Sequence, residues 1–396
     1  MNFIFISPNF PQTYWHFCER LRRKGVTVLG IGDAPYDTLD WNLKNALTEY
    51  YRVGSLEDYG EVYRAVAFFS YRYGKIDWLE SNNEYWLEQD ARLRTDFHIT
   101  TGVDSEGIGI FKSKAAQKVY YAKAKVPTAR QSRVTTEEAA RSFIAQTGYP
   151  VIVKPEVGVG AAATYKITNE EELKAFFATR PEVPYVMEEF VFGDIWSYDA
   201  IVDSHSEPLF ESCTRFPTPV MDIVNQELDM PYYVLPDIPA QLKKRGRATL
   251  KAFGVQRRFV HLEFFRLTQA RKRLGKVGDF VGLETNMRPA GGYTPDMMNF
   301  AHSTDVYEIW ADMVVSDKRL LPESRNDHWC VYYGRRDKNS YLHGHDEILR
   351  RYGLQLAMCD RIPDTIAPDL GNQMYMAHVW SEKELEEYLA FLSQRQ

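Results

Sequence analysis

Three side chains that could bind a metal–phosphate complex alternate along residues 280–292 of this 396-residue chain. Glu284, Asn286 and Arg288 occupy every second position, so an extended strand would place all three on one face. Carboxylate and amide oxygens are ligands that Mg²⁺ prefers, and a guanidinium presents a planar fork of donors to phosphoryl or acyl oxygens. The pattern therefore indicates a site for a magnesium–nucleotide complex.

A second strand-like segment, residues 259–267, carries one carboxylate, Glu263, at its middle. The connection at residues 268–279 is basic and contains glycine, which predicts a hairpin loop. The hairpin would place Glu263 beside Glu284. Apolar residues flank both acids, and carboxylates near a packed core are costly unless they are paired or bind a metal. We therefore predict that both are functional rather than isolated surface acids.

Lys154 lies near the end of a predicted buried strand and precedes a loop that contains Gly158 and Gly160. Such a loop lets backbone N–H groups close over phosphates while the lysine reaches them. The spacing is not that of a Walker loop. A simple β-turn is the alternative explanation for the glycines.

Two adjacent carboxylates, Glu188 and Glu189, stand beside an apolar stretch at residues 185–192. This arrangement suits an adenine slot, in which backbone groups and one glutamate bind the exocyclic amine. The residues expected to cover the ring are Val153, Met187 and Phe190. A strand edge with exposed acids is the alternative.

The composition indicates a globular enzyme-sized protein, with 44% hydrophobic and 14% aromatic residues. A net charge of -6 argues against non-specific nucleic-acid binding. The four cysteines are far apart and show no spacing typical of a disulfide framework or a zinc site. No apolar run approaches the roughly 20 residues that span a bilayer, and the apolar start predicts a first strand rather than a signal peptide. We predict a cytoplasmic protein with no nucleic-acid or membrane partner.

The order of predicted elements indicates an α/β fold. Strands at residues 2–7, 26–31 and 76–80 alternate with helices at 12–24 and 59–73, which predicts a parallel sheet. A helix at 111–125 is expected to end before Val126-Pro127. Capping boxes predict helix starts at Thr135, Thr168 and Ser381. The tail is expected to form strands at 329–333 and 374–380 around a helix at 346–352.

Taken in sequence, these pieces resemble the ATP-grasp superfamily, specifically its carboxylate–amine ligases of amino acids and dipeptides, related to the carbamoyl-phosphate synthetase large subunit and biotin carboxylase. The matching motifs are Lys114 with Lys125-Val126-Pro127, Lys154-Pro155 with Gly158 and Gly160, Glu188 to Gly193, His261-Leu262-Glu263-Phe264, and Glu284-Thr285-Asn286-Met287-Arg288. The resemblance covers about residues 111–315. It implies an α/β (α+β ATP-grasp) architecture with an N-terminal parallel domain at 1–110. A two-lobed ATP-grasp domain would follow at 111–315, with a nucleotide lid at about 126–187, and a small C-terminal extension at 316–396.

The resemblance also implies a role for each matched residue. Lys114 and Lys154 would contact ATP phosphates together with the loop at Gly158 and Gly160, and adenine would be held by Glu188, Glu189, Phe190 and Val191. Asp194 would stand in for a ribose contact. Mg²⁺ or Mn²⁺ would be bound by Glu263, Glu284 and Asn286, and Arg288 would stabilise the reacting acyl phosphate. The loop departs from the family in carrying alanines where glycine or serine is common.

The implied reaction is ATP-dependent activation of a carboxylic acid as an acyl phosphate, followed by capture by an amine to give an amide, ADP and phosphate. Residues 288–292 look like the corresponding segment of amino-acid and dipeptide ligases, so we expect an amino acid or small peptide as one substrate. The alternatives are a carboxylase that uses bicarbonate, of the biotin-carboxylase or purine-biosynthesis kind, and a non-catalytic nucleotide-binding module. Selectivity is expected in loops near residues 8–14, 81–84, 215–223 and 293–298. The oligomeric state is open, with a homodimer among the options.

Overall fold

The computed structural model describes residues 1–157, 163–180, 182–324 and 328–396. Within them the chain forms an N-terminal sheet and a small sheet of four strands each and a large sheet of eight strands. The mixed α/β class is therefore confirmed. Gly158 and Gly160 lie outside the described residues.

The N-terminal sheet is parallel, as predicted, with the order β3-β2-β1-β4. Its elements in chain order are β1 (Asn2–Ile6), α1 (Trp15–Arg23), β2 (Thr27–Gly32), α2 (Trp41–Ala46), β3 (Glu49–Arg52), α3 (Tyr59–Tyr73), β4 (Trp78–Glu80) and α4 (Leu87–Asp96). The predicted helix at 12–24 opens with a 3-10 turn, Gln12–Tyr14, before α1.

Strand β1 is covered on both faces because its side chains alternate between two cores. Phe3 and Phe5 pack into the core that also holds Trp310, with the Phe3 and Trp310 rings 5.7 Å apart. Ile4 and Ile6 pack on the opposite side with α3. A strand buried on both faces is typical of parallel sheets, and here it packs the N-terminal sheet against the helix Val306–Ser316, which carries Trp310.

The small sheet has the order β5-β8-β6-β7 and is antiparallel. The elements from the end of α4 through this sheet are α5 (Gly109–Lys112), α6 (Lys114–Lys123), β5 (Gln131–Arg133), α7 (Glu137–Thr147), β6 (Val151–Pro155), β7 (Tyr165–Ile167), α8 (Glu170–Thr179) and β8 (Tyr185–Glu189). Helices α7 and α8 cover one face with a core that includes Phe143, Leu173 and Phe176. The other face is left to line a cavity.

The large sheet has the order β13-β12-β9-β10-β11-β14-β16-β15. Its strands and helices are β9 (Gly193–Val202), β10 (Pro208–Phe216), α9 (Val220–Gln226), β11 (Met230–Val234), α10 (Ala240–Phe253), β12 (Arg258–Leu267), β13 (Phe280–Asn286), α11 (Thr294–His302), α12 (Val306–Ser316), β14 (Trp329–Arg335), α13 (His345–Tyr352), β15 (Leu356–Met358), α14 (Ala367–Leu370), β16 (Gln373–Val379) and α15 (Glu382–Ser393). The strands of the C-terminal segment continue the same sheet as β9 to β13. The domain limits at 110 and 315 stay a prediction.

Several local predictions need correction by one or two residues. The helix expected at 111–125 is broken at Ser113, whose side chain caps α6 by accepting from the Ala116 N–H. The caps expected at Thr135 and Thr168 fall one residue later, at Thr136 and Asn169. In each case the next side chain also carries an oxygen that can accept from the first turn, so sequence alone did not choose between them. The cap at Ser381 is confirmed.

Among the helices that the structure describes, none combines the length and apolar character needed to cross a bilayer.

The contact between α10 and β9 depends on a glycine. A Cβ added at Gly246 would lie 2.4 Å from the Tyr198 ring, which is fully buried and donates its hydroxyl to Glu211 at 2.6 Å. We expect Gly246→Ala to lower the free energy of unfolding by about 1 kcal/mol, because overpacking outweighs the gain in helix propensity. Urea denaturation measures the change. Gly109→Ala is the control, since a Cβ there meets nothing within 4 Å; equal stability of both variants would contradict the prediction.

Candidate active site

A cavity of about 660 Å³ is lined by residues of the small and large sheets and by the segments that follow β1 and β4 of the N-terminal sheet. Of the residues singled out from the sequence, those that line it are Lys114, Lys154, Glu188, Glu189, Phe190, Val191, Glu263, Glu284, Asn286 and Arg288. The predicted residues are thus brought together although up to 174 positions separate them in the chain, from Lys114 to Arg288. Asp194 is not part of the lining.

The β12–β13 hairpin forms as predicted and pairs Glu263 directly with Glu284. A bulge follows this pair, since Phe264 pairs with Gly282. The bulge explains why both Leu283 and Glu284 line the cavity despite strand alternation. Asn286 ends the strand and donates its Nδ2 to Glu263 Oε1 at 3.3 Å. Arg288 lies beyond the strand and still reaches the cavity.

The three oxygen-bearing side chains suit a hard cation. Mg²⁺ is usually held by one or two carboxylates together with substrate phosphates rather than by a complete protein cage. Glu263, Glu284 and Asn286 provide two carboxylates and an amide oxygen on one wall of the cavity. Among the described residues, no group of three or more His, Cys, Asp or Glu side chains is placed to hold a metal ion by itself. The donor set therefore fits a metal that arrives with a nucleotide.

His261 supports Glu263 from the same strand. Its Nε2 lies 3.3 Å from Glu263 Oε1, and its Nδ1 lies 2.7 Å from Asp199 Oδ1 on β9. Burial lowers the pKa of His261, but Asp199 and Glu263 outweigh it and raise the pKa to about 9. Burial also opposes the charge of Glu263, yet His261 holds that pKa below its usual value. The sequence motif contains His261 but assigns it no role; its position two residues before Glu263 is the signal that both side chains share a strand face.

Glu188, which lines the cavity, forms ion pairs with two lysines. Its Oε2 lies 2.8 Å from Lys154 Nζ and its Oε1 lies 2.7 Å from Lys118 Nζ. Burial alone would raise the pKa of Glu188, but Lys118 and Lys154 lower it to about 2. Burial likewise opposes the charge of Lys154, and Glu188 and Glu284 still raise its pKa. Lys118 was missed, although its place one helical turn after Lys114 pointed to the same face.

Lys114 is positioned by the way α6 docks on β13. Its Nζ lies 3.2 Å from Glu284 Oε1. The Gln117 side chain donates its Nε2 to the Thr285 carbonyl at 3.0 Å and accepts from the Thr285 N–H at 2.9 Å. Its amide thus pairs with the Thr285 backbone in the way that the backbone of a neighbouring strand would. Thr285 also donates its hydroxyl to Tyr121 at 2.9 Å. These buried bonds fix the helix start that carries the lysine against the strand that carries Glu284.

The apolar slot differs from the one expected. Val153 and Met187 pack on the opposite face of the small sheet, in the core under α7 and α8. Ile152 faces the cavity instead, with Phe265 and Leu283 from the large sheet. The expectation was wrong because strand alternation places Ile152 and Lys154 on one face and Val153 on the other.

Two acidic residues near the slot have other partners. Glu189 accepts from the Arg130 backbone N–H at 2.8 Å and from Arg130 Nε at 2.9 Å, so both its oxygens are engaged. Asp194 forms an ion pair with Arg215 at 2.9 Å. Asp194 therefore faces away from the cavity that its neighbours Gly193 and Ile195 line.

Comparison with known proteins supports the fold that the sequence motifs predict. Residues 112–185 match the sequence profile of the family described as "Carbamoyl-phosphate synthase L chain, ATP binding domain". An uncharacterised protein, y4rH, from Sinorhizobium fredii is 26% identical over 275 residues, which make up 67% of this chain and 51% of that protein. The chain thus spans about half the length of this curated relative.

Two solved structures are similar over nearly their whole length. An L-amino acid ligase from Bacillus licheniformis has a TM-score of 0.71 at 14% identity, with 99% of this chain and 97% of that chain covered. The biotin carboxylase domain of the Hydrogenobacter thermophilus 2-oxoglutarate carboxylase, in complex with MgADP, ADP and bicarbonate, has a TM-score of 0.69 at 15% identity, with 100% and 90% covered. Likeness at these identities establishes a shared fold.

The ion pairs of Glu188 make stability depend on pH in a defined window. A carboxylate whose folded pKa lies near 2 stabilises the fold above its ordinary pKa of 4.5, and that stabilisation disappears as the pH falls towards 2. We expect Glu188→Gln to lower the free energy of unfolding by about 3 kcal/mol at pH 7, with the deficit shrinking below pH 4.5.

Denaturant unfolding of the unaltered chain and the variant across this pH range measures the difference. Glu171→Gln, which removes an exposed carboxylate from α8, is the control and should have little effect. A Glu188→Gln deficit that stays constant from pH 7 to pH 3 would contradict the assignment.

Proposed function

We propose that this chain, which has the fold of the ATP-grasp superfamily, is an ATP-dependent ligase that joins a carboxylic acid to an amine. The observation that carries the proposal is the convergence in one cavity of the hairpin acids Glu263 and Glu284 with Lys114, Lys154 and Arg288. Acids that can hold a cation and bases that can hold phosphates are both needed to transfer a phosphoryl group.

The nucleotide would lie between the small and large sheets. Ile152, Phe265 and Leu283 would cover the base, with the chain near Phe190 and Val191 at its edge. Lys114 and Lys154 would contact the phosphates, since both Nζ atoms reach carboxylates that face the cavity. Glu263, Glu284 and Asn286 would hold Mg²⁺ or Mn²⁺, which when bound offsets phosphate charge and aligns the phosphates.

The reaction would proceed in two balanced steps. A carboxylate oxygen of the acid forms a bond to the γ-phosphorus as the bond from that phosphorus to the ADP oxygen breaks. The amine nitrogen then attacks the acyl carbon of the acyl phosphate, the carbon–oxygen bond to phosphate breaks, and the nitrogen passes a proton to the released phosphate. The products are an amide, ADP and phosphate.

The protein would assist mainly by fixed electrostatics. Arg288 faces the cavity just past the metal-ligand wall, where its guanidinium can bind the oxygens of the acid and of its acyl phosphate. His261 holds Glu263 in place through a bond to one oxygen, so the carboxylate need not reorganise when charge develops. None of these groups needs to transfer a proton.

A carboxylase that uses bicarbonate is the second candidate, because one structure of similar fold holds bicarbonate with MgADP. The cavity lining also includes apolar residues, among them Phe216 and Met230, which a small inorganic anion would leave uncovered. This apolar lining favours an organic acid. A non-catalytic role is disfavoured because the candidate metal ligands and both lysines are present in one cavity. A cytoplasmic location and a homodimer stay predictions.

The direct test is release of ADP from Mg-ATP with acids and amines, offered singly and in pairs, and with bicarbonate. We expect release that requires an acid and an amine together. Glu284→Gln should lower the rate at least about a hundredfold, because it removes a charged ligand that acts on the developing phosphoryl charge.

Glu171→Gln is the control: it removes one negative charge in the same way, but from the exposed side of α8, and should leave the rate unaltered. Release with bicarbonate alone would move the carboxylase to first place. Tight nucleotide binding without turnover on any acid would count against both enzymatic candidates.

A further inference from the structure

Lys118 is a largely buried cation that the proposed nucleotide position does not use. Its side chain is 16% exposed, and its Nζ lies 2.7 Å from Glu188 Oε1. Glu188 lines the cavity, whereas Lys118 is not part of the lining. Lys118 therefore binds this carboxylate without itself facing the space that a nucleotide would occupy.

We propose that Lys118 is a positioning residue for nucleotide binding: it balances the charge of Glu188, so that Lys154 can present its own charge to the phosphates. The inference rests on the proposed function, in which Lys154 contacts the phosphates of ATP. Lys118 acts through Glu188 and Lys154 and does not touch the nucleotide.

The ion pair between Glu188 and Lys154 is the first reason. Lys154 Nζ lies 2.8 Å from Glu188 Oε2, and the two residues are only 8% and 4% exposed. Lys154 is on β6 and Glu188 on its neighbour β8, so the sheet itself keeps them close. A carboxylate in contact offsets the ammonium charge, and water screens such a buried pair only weakly. Paired with Glu188 alone, Lys154 would attract an anionic phosphate poorly.

The balance of lysines and acids is the second reason. Lys114 lies 3.2 Å from Glu284, so each of the cavity lysines, Lys114 and Lys154, already has a carboxylate partner. Glu284 is a candidate metal ligand and would gain the metal ion as a second partner. Glu188 is not a candidate ligand, so its charge is left to the cations of the protein. Lys118 supplies the further cation and leaves three lysines beside two carboxylates.

The way the two oxygens of Glu188 are shared is the third reason. Lys118 and the Gln131 side chain both donate to Oε1, at 2.7 and 3.0 Å, while Lys154 approaches Oε2. Glu188 thus keeps two donors when Lys154 turns towards a phosphate. Gln131 is neutral, so of these two donors it is Lys118 that replaces the positive charge. The replacement matters because a buried carboxylate without a cation is costly.

The test is calorimetric binding of MgADP to the full chain, with adenosine as a second ligand that lacks the phosphates. We expect Lys118→Met to weaken MgADP at least about tenfold, because Glu188 then offsets the charge that Lys154 offers to the phosphates. Adenosine affinity should stay within about twofold, since adenosine has no group for Lys154 to bind. Lys118→Arg keeps the charge and should restore MgADP affinity to within about threefold.

Lys123→Met is the matched control, because it removes an exposed positive charge from the same helix, α6. It should change the affinity for neither ligand. A loss of MgADP affinity as large as that of Lys118→Met would overturn the inference, since the charge of the helix as a whole would then be responsible.

Glu188→Gln separates a role through Glu188 from a direct contact with the phosphates. In this background Lys118 has no carboxylate to balance, so adding Lys118→Met should change MgADP affinity by less than about twofold. A further tenfold loss, roughly the full effect of the single variant, would mean that Lys118 itself binds the phosphates and would overturn the inference. Glu188→Gln is expected to be less stable, so thermal unfolding verifies that it is folded. The comparison of Lys118→Met with Lys118→Arg decides the matter without it.

The outcomes separate this inference from the proposed function. Unchanged MgADP affinity in Lys118→Met, an equal loss for MgADP and adenosine, or an equal loss in Lys118→Arg would overturn the role of Lys118, even if ADP release requires an acid with an amine. The expected pattern in a chain that releases no ADP with any acid and amine would support the role of Lys118 and count against the ligase activity. Absence of MgADP binding to the unaltered chain would overturn both.

Discussion

The structure depends on the pairing of carboxylates around one cavity, of which Glu188 is buried and Glu263 and Glu284 are partly buried. Glu188, Glu263 and Glu284 each face this space, and each lies beside a cation: Lys154 and Lys118, His261, and Lys114 respectively. A buried charge without a partner is costly, most of all for Glu188, so these side chains favour an arrangement in which the elements carrying their partners are held close. The need to pair these charges therefore holds α6, the small sheet and the β12–β13 hairpin in one arrangement.

A second cluster of charges, which is buried at the edge of the N-terminal sheet, also fixes distant parts of the chain to one another. Glu80, at the end of β4, lies 2.9 Å from Arg94 and 2.6 Å from Arg258. Burial opposes its charge, but the two guanidinium groups keep the pKa of Glu80 below its usual value. Arg258 also donates to the Met287 carbonyl at 2.9 Å, directly before Arg288. The N-terminal sheet is thereby fixed to the segment that carries the arginine of the site.

The sequence by itself determined the features that depend on local periodicity. Alternation and a basic glycine-containing loop were enough to predict the hairpin and the pairing of Glu263 with Glu284, because a hairpin brings residues together that are near in sequence. The alternation of strands and helices likewise predicted the parallel N-terminal sheet. The family resemblance of the ordered motifs implied that Lys114, Lys154 and Glu188 share a site with the hairpin, and all three line the same cavity. The predicted N-cap residues of the helices lie within one residue of the observed ones. They are no more exact because neighbouring polar side chains compete for the same N–H groups.

Tertiary structure alone decided which face each strand presents and which distant charges meet. The adenine wall uses Ile152 rather than Val153 because helices α7 and α8 cover the other face. Asp194 forms an ion pair with Arg215 on the neighbouring strand β10, and its side chain therefore does not line the cavity. Glu84 meets Arg288 across 204 positions of sequence, and the C-terminal strands join the same sheet as the hairpin. Local pattern carries no information on such partners, because they are selected by packing and by the cost of leaving a buried charge unpaired.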